Sequence, residues 1–133
     1  MILESAHVAT SIDRPAAEVY EFVVEPRNLP SWAAGLAEGA VEQVDGQWIA
    51  ESPMGRVAVA FAPANPFGVA DHDVTLPTGE VVANPVRIIP NADGCDVVFT
   101  VHRRAGTTAE DFAADAEAVS TDLATLRRIL ERT

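Results

Sequence analysis

The stretch TTAEDFAADAEAVSTDLATLRRIL, residues 107–130, decides the fold of this 133-residue chain. Its apolar residues recur at alternating steps of four and three, the spacing of one face of an α-helix. Thr107 followed by Glu110, or Thr108 followed by Asp111, supplies the capping pattern of a helix start. We therefore predict an amphipathic helix of about 24 residues and about 36 Å, which must bury its apolar face. That stripe consists of Phe112, Ala116, Val119, Leu123, Leu126 and Leu130.

The preceding residues predict the sheet that this helix needs as a partner. Residues 2–12 alternate like a strand, and AAEVYEFVVE and RNLPSWAAGL predict two short helices after it. Short alternating segments then follow, separated by turns at residues 45–46, 77–79 and 91–94. This order predicts one α+β domain over residues 1–133. A curved antiparallel sheet of about seven strands grips the long C-terminal helix, and two short helices follow strand 1.

Composition excludes several classes of function. The net charge is −11, with nine arginines and no lysine, so we expect no nucleic-acid partner and no membrane insertion. Cys95 is the only cysteine, which excludes an intrachain disulfide and a thiolate zinc cluster. Asp115, Glu117 and Asp122 are expected to form a solvated helix face. No motif for a cofactor or a metal stands out, and the N-terminus MILESAHV lacks the pattern of a signal peptide, so we expect a cytoplasmic protein.

Two segments carry a resemblance to a known family. ATSIDRPAAEVYEFVVEPRNLPSW resembles the first strand, paired helices and early tryptophan of the START-like helix-grip superfamily (SRPBCC), in its polyketide cyclase/dehydrase-like branch. VRIIPNADGCDVVFTVHRR and the terminal helix resemble its last hairpin and gripped helix. The resemblance implies a cavity between sheet and helix that holds a hydrophobic or aromatic small molecule, with Trp32 close to its mouth. It implies no universal catalytic motif.

The size of the side chains along the helix indicates where a cavity would lie. Ala109, Ala113 and Ala116 are small, whereas Leu123 and Leu126 in the second half are large. We therefore expect the pocket near the N-terminal half of the helix, although Phe61 and Phe99 could instead fill the space. The residues expected to line the pocket are Trp32, Phe61, His72, Val74, Asn84, Val86, Arg87, Phe99, Phe112 and Ala116.

The run ADHDVTLP places a histidine between two aspartates. In a strand, His72 shares a face with Ala70 and Val74, while Asp71 and Asp73 lie on the opposite face. A metal site from this run is therefore excluded by geometry. His72 either orients a ligand or is a core histidine whose polar atoms the backbone satisfies, and it is the tentative catalytic residue if the protein is an enzyme.

Pro85 interrupts the strand that contains Asn84 and Arg87. Simple alternation places Asn84 inward and Arg87 outward. A bulge at the proline would turn Arg87 inward, where it could meet a ligand carboxylate.

Three functions are compatible with these patterns. The first is binding of a small hydrophobic or aromatic molecule in the internal cavity. The second is a cyclase or dehydratase in which His72 acts as acid or base and Arg87 or Asn84 polarises a carbonyl. The third is a protein-interaction module with a collapsed cavity. The sequence leaves open whether a reaction is catalysed and whether the protein is a monomer or a homodimer.

Overall fold

Eight strands and three α-helices follow one another in residues 1–132, the part of the chain that the computed structural model describes. The strands are β1 (Ser5–Ile12), β2 (Glu42–Val44), β3 (Gln47–Ser52), β4 (Gly55–Phe61), β5 (His72–Thr75), β6 (Val81–Asn84), β7 (Val86–Asn91) and β8 (Gly94–His102). The helices are α1 (Ala16–Val23), α2 (Leu29–Trp32) and α3 (Ala109–Glu131), with a 3₁₀ turn at Pro26–Asn28. The predicted α+β class, the two short helices after the first strand and the long C-terminal helix are confirmed.

The prediction of a single sheet of about seven strands is wrong in its count and continuity. Strands β1, β8 and β7 form one antiparallel sheet in that order, and β2 to β6 form a second one in sequence order. The division falls at Pro85, which separates β6 from β7. Proline has no N–H to donate to a ladder, so one predicted strand becomes two that pair with different neighbours. β6 pairs with β5, whereas β7 pairs with β8.

Main-chain hydrogen bonds next to this break join β7 to residues 68–70, the segment just before β5. The amide of Ala70 donates to the carbonyl of Val86 and the amide of Ile88 donates to the carbonyl of Gly68, both at 2.9 Å. Gly68 has a φ of +73°, and a Cβ at this position would overlap the carbonyl oxygen of Ile88. A side chain is therefore excluded at Gly68 by both conformation and space.

The register of the strands brings the apolar residues to one face. Val8 of β1 and Val86 of β7 both lie opposite Phe99 of β8, and His72 lies opposite Asn84. Alternation continues across Pro85, because Val86 and Ile88 are buried while Arg87 is exposed. Two helices pack against the three-stranded sheet: α3 contacts β1 and β8, and α1 contacts β7 and β8.

The amphipathic stripe predicted for α3 is confirmed. Leu123 and Leu126 are fully buried and Phe112 nearly so. The helix begins as the sequence predicts, with the hydroxyl of Thr108 accepting a hydrogen bond from the amide of Asp111 at 3.1 Å. No helix within residues 1–132 is both long enough and apolar enough to cross a membrane.

Gly68→Ala tests the junction between the sheets. We expect it to lower the free energy of unfolding by at least about 2 kcal/mol, because the new methyl group meets a carbonyl oxygen that is fixed in the ladder. Gly79→Ala is the matched control, since Gly79 also has a positive φ (+92°) but has open space around a Cβ. Urea denaturation of both variants measures the difference, and equal destabilisation would contradict the close approach at Gly68.

Candidate functional site

An open cleft of about 660 Å³ lies between β1 and the first half of α3. The strand side is lined by Glu4, Ala6, His7, Val8 and Ala9. The helix side is lined by Ala109, Phe112, Ala113, Ala116, Glu117 and Ser120. Its volume falls within the range of about 300–1,000 Å³ that is usual for small-molecule sites, but the cleft is open to solvent and not enclosed.

The cleft exists because α3 packs closely along only part of its length. Its second half is held by the large side chains Leu123 and Leu126, which are buried. In its first half, Ala109 and Ala113 are exposed and Ala116 is half-buried, so small side chains face the strand. β1 is the edge strand of its sheet, which leaves its far side uncovered by another strand.

Three titratable side chains belong to the lining, and they differ in their partners. Glu4 forms an ion pair with Arg103, with 3.3 Å between Oε1 and Nη1. His7 shares a hydrogen bond through Nδ1 with the hydroxyl of Thr100 at 2.9 Å. The carboxylate of Glu117 is exposed and has no hydrogen bond or ion pair with any residue from 1 to 132. The cleft therefore combines apolar walls with one unpaired carboxylate.

Two of the ten predicted pocket residues, Phe112 and Ala116, line this cleft. The other eight are not part of its lining. Phe99 is the nearest of these in the sheet, because it lies directly opposite Val8 across the β1–β8 pair. Phe99 is half-buried, and its ring centroid lies 5.9 Å from that of His72, which belongs to the other sheet.

His72 points inward and is only 3% exposed. Its Nδ1 lies 3.3 Å from the carbonyl oxygen of Ala70, which can only accept, so Nδ1 carries the proton. The ring lies between Phe61 and Phe99, with centroid distances of 4.9 and 5.9 Å. Burial lowers the pKa of His72, against the opposing effects of the Ala70 carbonyl and the nearby aspartates. This environment is that of a neutral core histidine with a backbone partner.

Arg87 was predicted to line the pocket, but its side chain does not. Its guanidinium lies on the outer face and binds the carboxylate of Asp71 through two hydrogen bonds, at 3.0 and 2.9 Å. The amide of Val86 donates to the same carboxylate. The guanidinium, by its hydrogen bond, holds the pKa of Asp71 below its usual range. Because alternation continues across Pro85 without a bulge that reverses it, Arg87 cannot reach the space between sheet and helix.

The remaining predicted pocket residues lie in the core or beside it. Val74, Val86 and Trp32 are buried, while Phe61 and Asn84 are half-buried. Within the described part of the chain, the indole Nε1 of Trp32 is buried and has no hydrogen-bond acceptor. No three His, Cys, Asp or Glu side chains among residues 1–132 are grouped so as to hold a metal ion.

Asp122 is the residue whose role the sequence analysis missed. It is half-buried rather than solvated, and its carboxylate lies next to the main chain of Ala34 and Gly35, just after α2. Burial raises the pKa of its carboxyl to about 6, although the main-chain amides of these two residues act in the opposite direction. Asp122 thus ties the second half of α3 to the loop after α2, at the end away from the cleft. The sequence did contain an indication of this burial, because Asp122 directly precedes Leu123 and so lies beside the apolar stripe of the helix.

No model of a known protein family matches the chain, and no curated protein matches its sequence. Solved structures do match its fold. DynU16, a protein in the dynemicin biosynthetic locus, has 16% identity and a TM-score of 0.71, over 96% of this chain and 47% of that one. Ara h 8.0201 has 13% identity and a TM-score of 0.70, over 98% and 99%. CalU16 from Micromonospora echinospora has 12% identity and a TM-score of 0.67, over 95% and 73%.

These similarities define the fold. The chain has two antiparallel sheets, two short helices after the first strand and one long C-terminal helix, an arrangement compatible with the helix-grip fold. At such low identity the similar structures carry no information about individual site residues.

Replacement of Asp122 by asparagine tests its burial. The folded state binds a proton at Asp122 with a pKa of about 6, above the ordinary value of 3.8, so acidification favours folding. We expect the free energy of unfolding of the native protein to rise, relative to Asp122→Asn, by about 1 kcal/mol as the pH falls from 7.5 to 4.5, after allowance for partial exposure. Urea denaturation at a series of pH values measures it.

Subtracting the free energy of unfolding of Asp122→Asn from that of the native protein cancels the contributions of groups that titrate in both proteins, such as His72. A difference that stays constant over this pH range would contradict a raised pKa at Asp122.

Proposed function

We propose that the protein binds a small apolar molecule in the cleft between β1 and the first half of α3. The observation that carries the proposal is the cleft itself, with a volume of about 660 Å³ and walls made mainly of alanine, valine and phenylalanine side chains. Such a surface gains free energy when apolar area is removed from water, at about 25 cal/mol per Å².

The distribution of side-chain size along α3 supports this site. A helix that served only to close the core would carry large residues along its whole buried stripe. Here the first half presents Ala113 and Ala116 to the strand, while Leu123 and Leu126 fix the second half. The scaffold is therefore held at one end and leaves room at the other, without a conformational change being required.

The fold supports the same proposal in a coarser way. The helix-grip fold is shared with DynU16, which comes from a biosynthetic locus. This likeness supports the resemblance to the polyketide cyclase/dehydrase-like branch and, with it, a role towards a small molecule. We propose that the ligand contacts Phe112, Ala116 and the residues next to them in the cleft wall.

The enzyme alternative receives no specific support from the geometry. It needs at least two polar side chains that converge on one interior point. Arg87 lies outside, and the one hydrogen bond that the His72 imidazole makes with the described residues goes to the main-chain carbonyl of Ala70. The interaction-module alternative requires a collapsed internal cavity, and the packing of buried His72 against Phe61 and Phe99 agrees with that requirement. The small-molecule proposal therefore rests on the open cleft beside β1 and not on an internal cavity.

Ala113→Trp tests the site. We expect decanol to bind the native protein at pH 8, and to bind this variant at least about tenfold more weakly, because the indole occupies apolar surface that the ligand would cover. Isothermal titration calorimetry measures the affinity of each protein.

Ala118→Trp is the matched control, since Ala118 is exposed and lies outside the cleft lining on the same helix. It should bind decanol like the native protein. Equal affinities of all three proteins, or no binding by the native protein, would overturn the proposed function.

A further inference from the structure

The charges around the cleft restrict what the ligand can carry. Its titratable residues are Glu4, His7 and Glu117, and no arginine belongs to the lining. The protein has no lysine and a net charge of −11. A ligand carboxylate would enter this region without a cationic partner from the wall, and against the field of the whole molecule.

The two carboxylates of the lining are not equivalent. Arg103 lies 3.3 Å from Glu4 and compensates its charge locally. Glu117 has no such partner among residues 1–132, and the residues one helical turn away, Ala113 and Thr121, are uncharged. Glu117 also lies beside the apolar wall of Ala113 and Ala116, so an apolar body in the cleft brings its own polar end within reach of this carboxylate.

We propose that the ligand of this cleft carries a basic group, an aliphatic or aromatic amine, and that Glu117 selects it. This inference rests on the proposed function, because it assigns the polar end of a molecule whose apolar part occupies the same cleft. The exposed carboxylate of Glu117 supplies a negative charge at the edge of an apolar wall, where an ammonium group gains attraction while its hydrocarbon lies against the wall.

Three compounds with one apolar body test the selection: decylamine, decanol and decanoate, titrated calorimetrically at pH 8 and low salt. We expect the native protein to bind the amine about threefold more tightly than the alcohol, the size of one exposed charge pair. Decanoate should bind more weakly than the alcohol. The preference for the amine should shrink in 1 M salt, where the screening length falls to about 3 Å.

Glu117→Gln should remove most of the preference for the amine over the alcohol and leave the affinity for decanol unchanged. Asp115→Asn is the matched control: it changes the net charge equally, on the same helix, at an exposed residue outside the lining. It should keep the preference. Loss of the preference in both variants would assign it to the overall charge and overturn the role of Glu117.

The outcomes separate this inference from the proposed function. If decanol binds and Ala113→Trp weakens it, but the native protein binds amine and alcohol equally or prefers decanoate, the amine selection is overturned and the cleft remains a binding site. If none of the three compounds binds, both the cleft as a binding site and the selection by Glu117 are overturned.

Discussion

The uneven packing of α3 leaves the space beside β1 open. Leu123 and Leu126 bury the second half of the helix against the core, and each fully buried leucine contributes about 2 kcal/mol. Asp122 ties this half to the loop after α2, and the carboxylate of Glu131 accepts a hydrogen bond from the amide of Asp13 just beyond β1. The first half has only Phe112 as a large buried residue. The helix is therefore fixed at its C-terminal end, and the space beside β1 stays open.

Much of the fold was predictable because its signals are local. The 4-3 spacing in α3, its Thr108 cap and the Asp45-Gly46 turn each depend on residues close together in the chain, and the structure contains all three. The division of one predicted strand into β6 and β7 at Pro85 was not predicted. A proline in a strand predicts an interruption, but it does not reveal that the two parts pair with different neighbours, since that depends on residues 68–70 across the sheet junction.

The sequence indicated which half of α3 carries small side chains, but it predicted an internal cavity, whereas the proposed site is an open cleft with a largely different lining. Alanines in the first half of α3 indicated where space would remain, whereas sequence periodicity could not show that the cleft opens at the edge of β1. His72 faces inward as alternation predicts. Its contact with Phe61 follows from the register of β4 and β5, and its contact with Phe99 from the meeting of the two sheets, neither of which the sequence specifies. Asp122 was assigned to solvent because the loop that covers it is distant in sequence.

The central claim is that an apolar ligand lies against the first half of α3. Intermolecular nuclear Overhauser effects between bound decanol and the methyl groups of alanine-labelled protein test it most directly. We predict contacts from the decanol chain to the methyl groups of Ala113 and Ala116, and none to that of Ala124 in the second half of the same helix. Contacts confined to other alanines, with none to Ala113 or Ala116, would contradict this account.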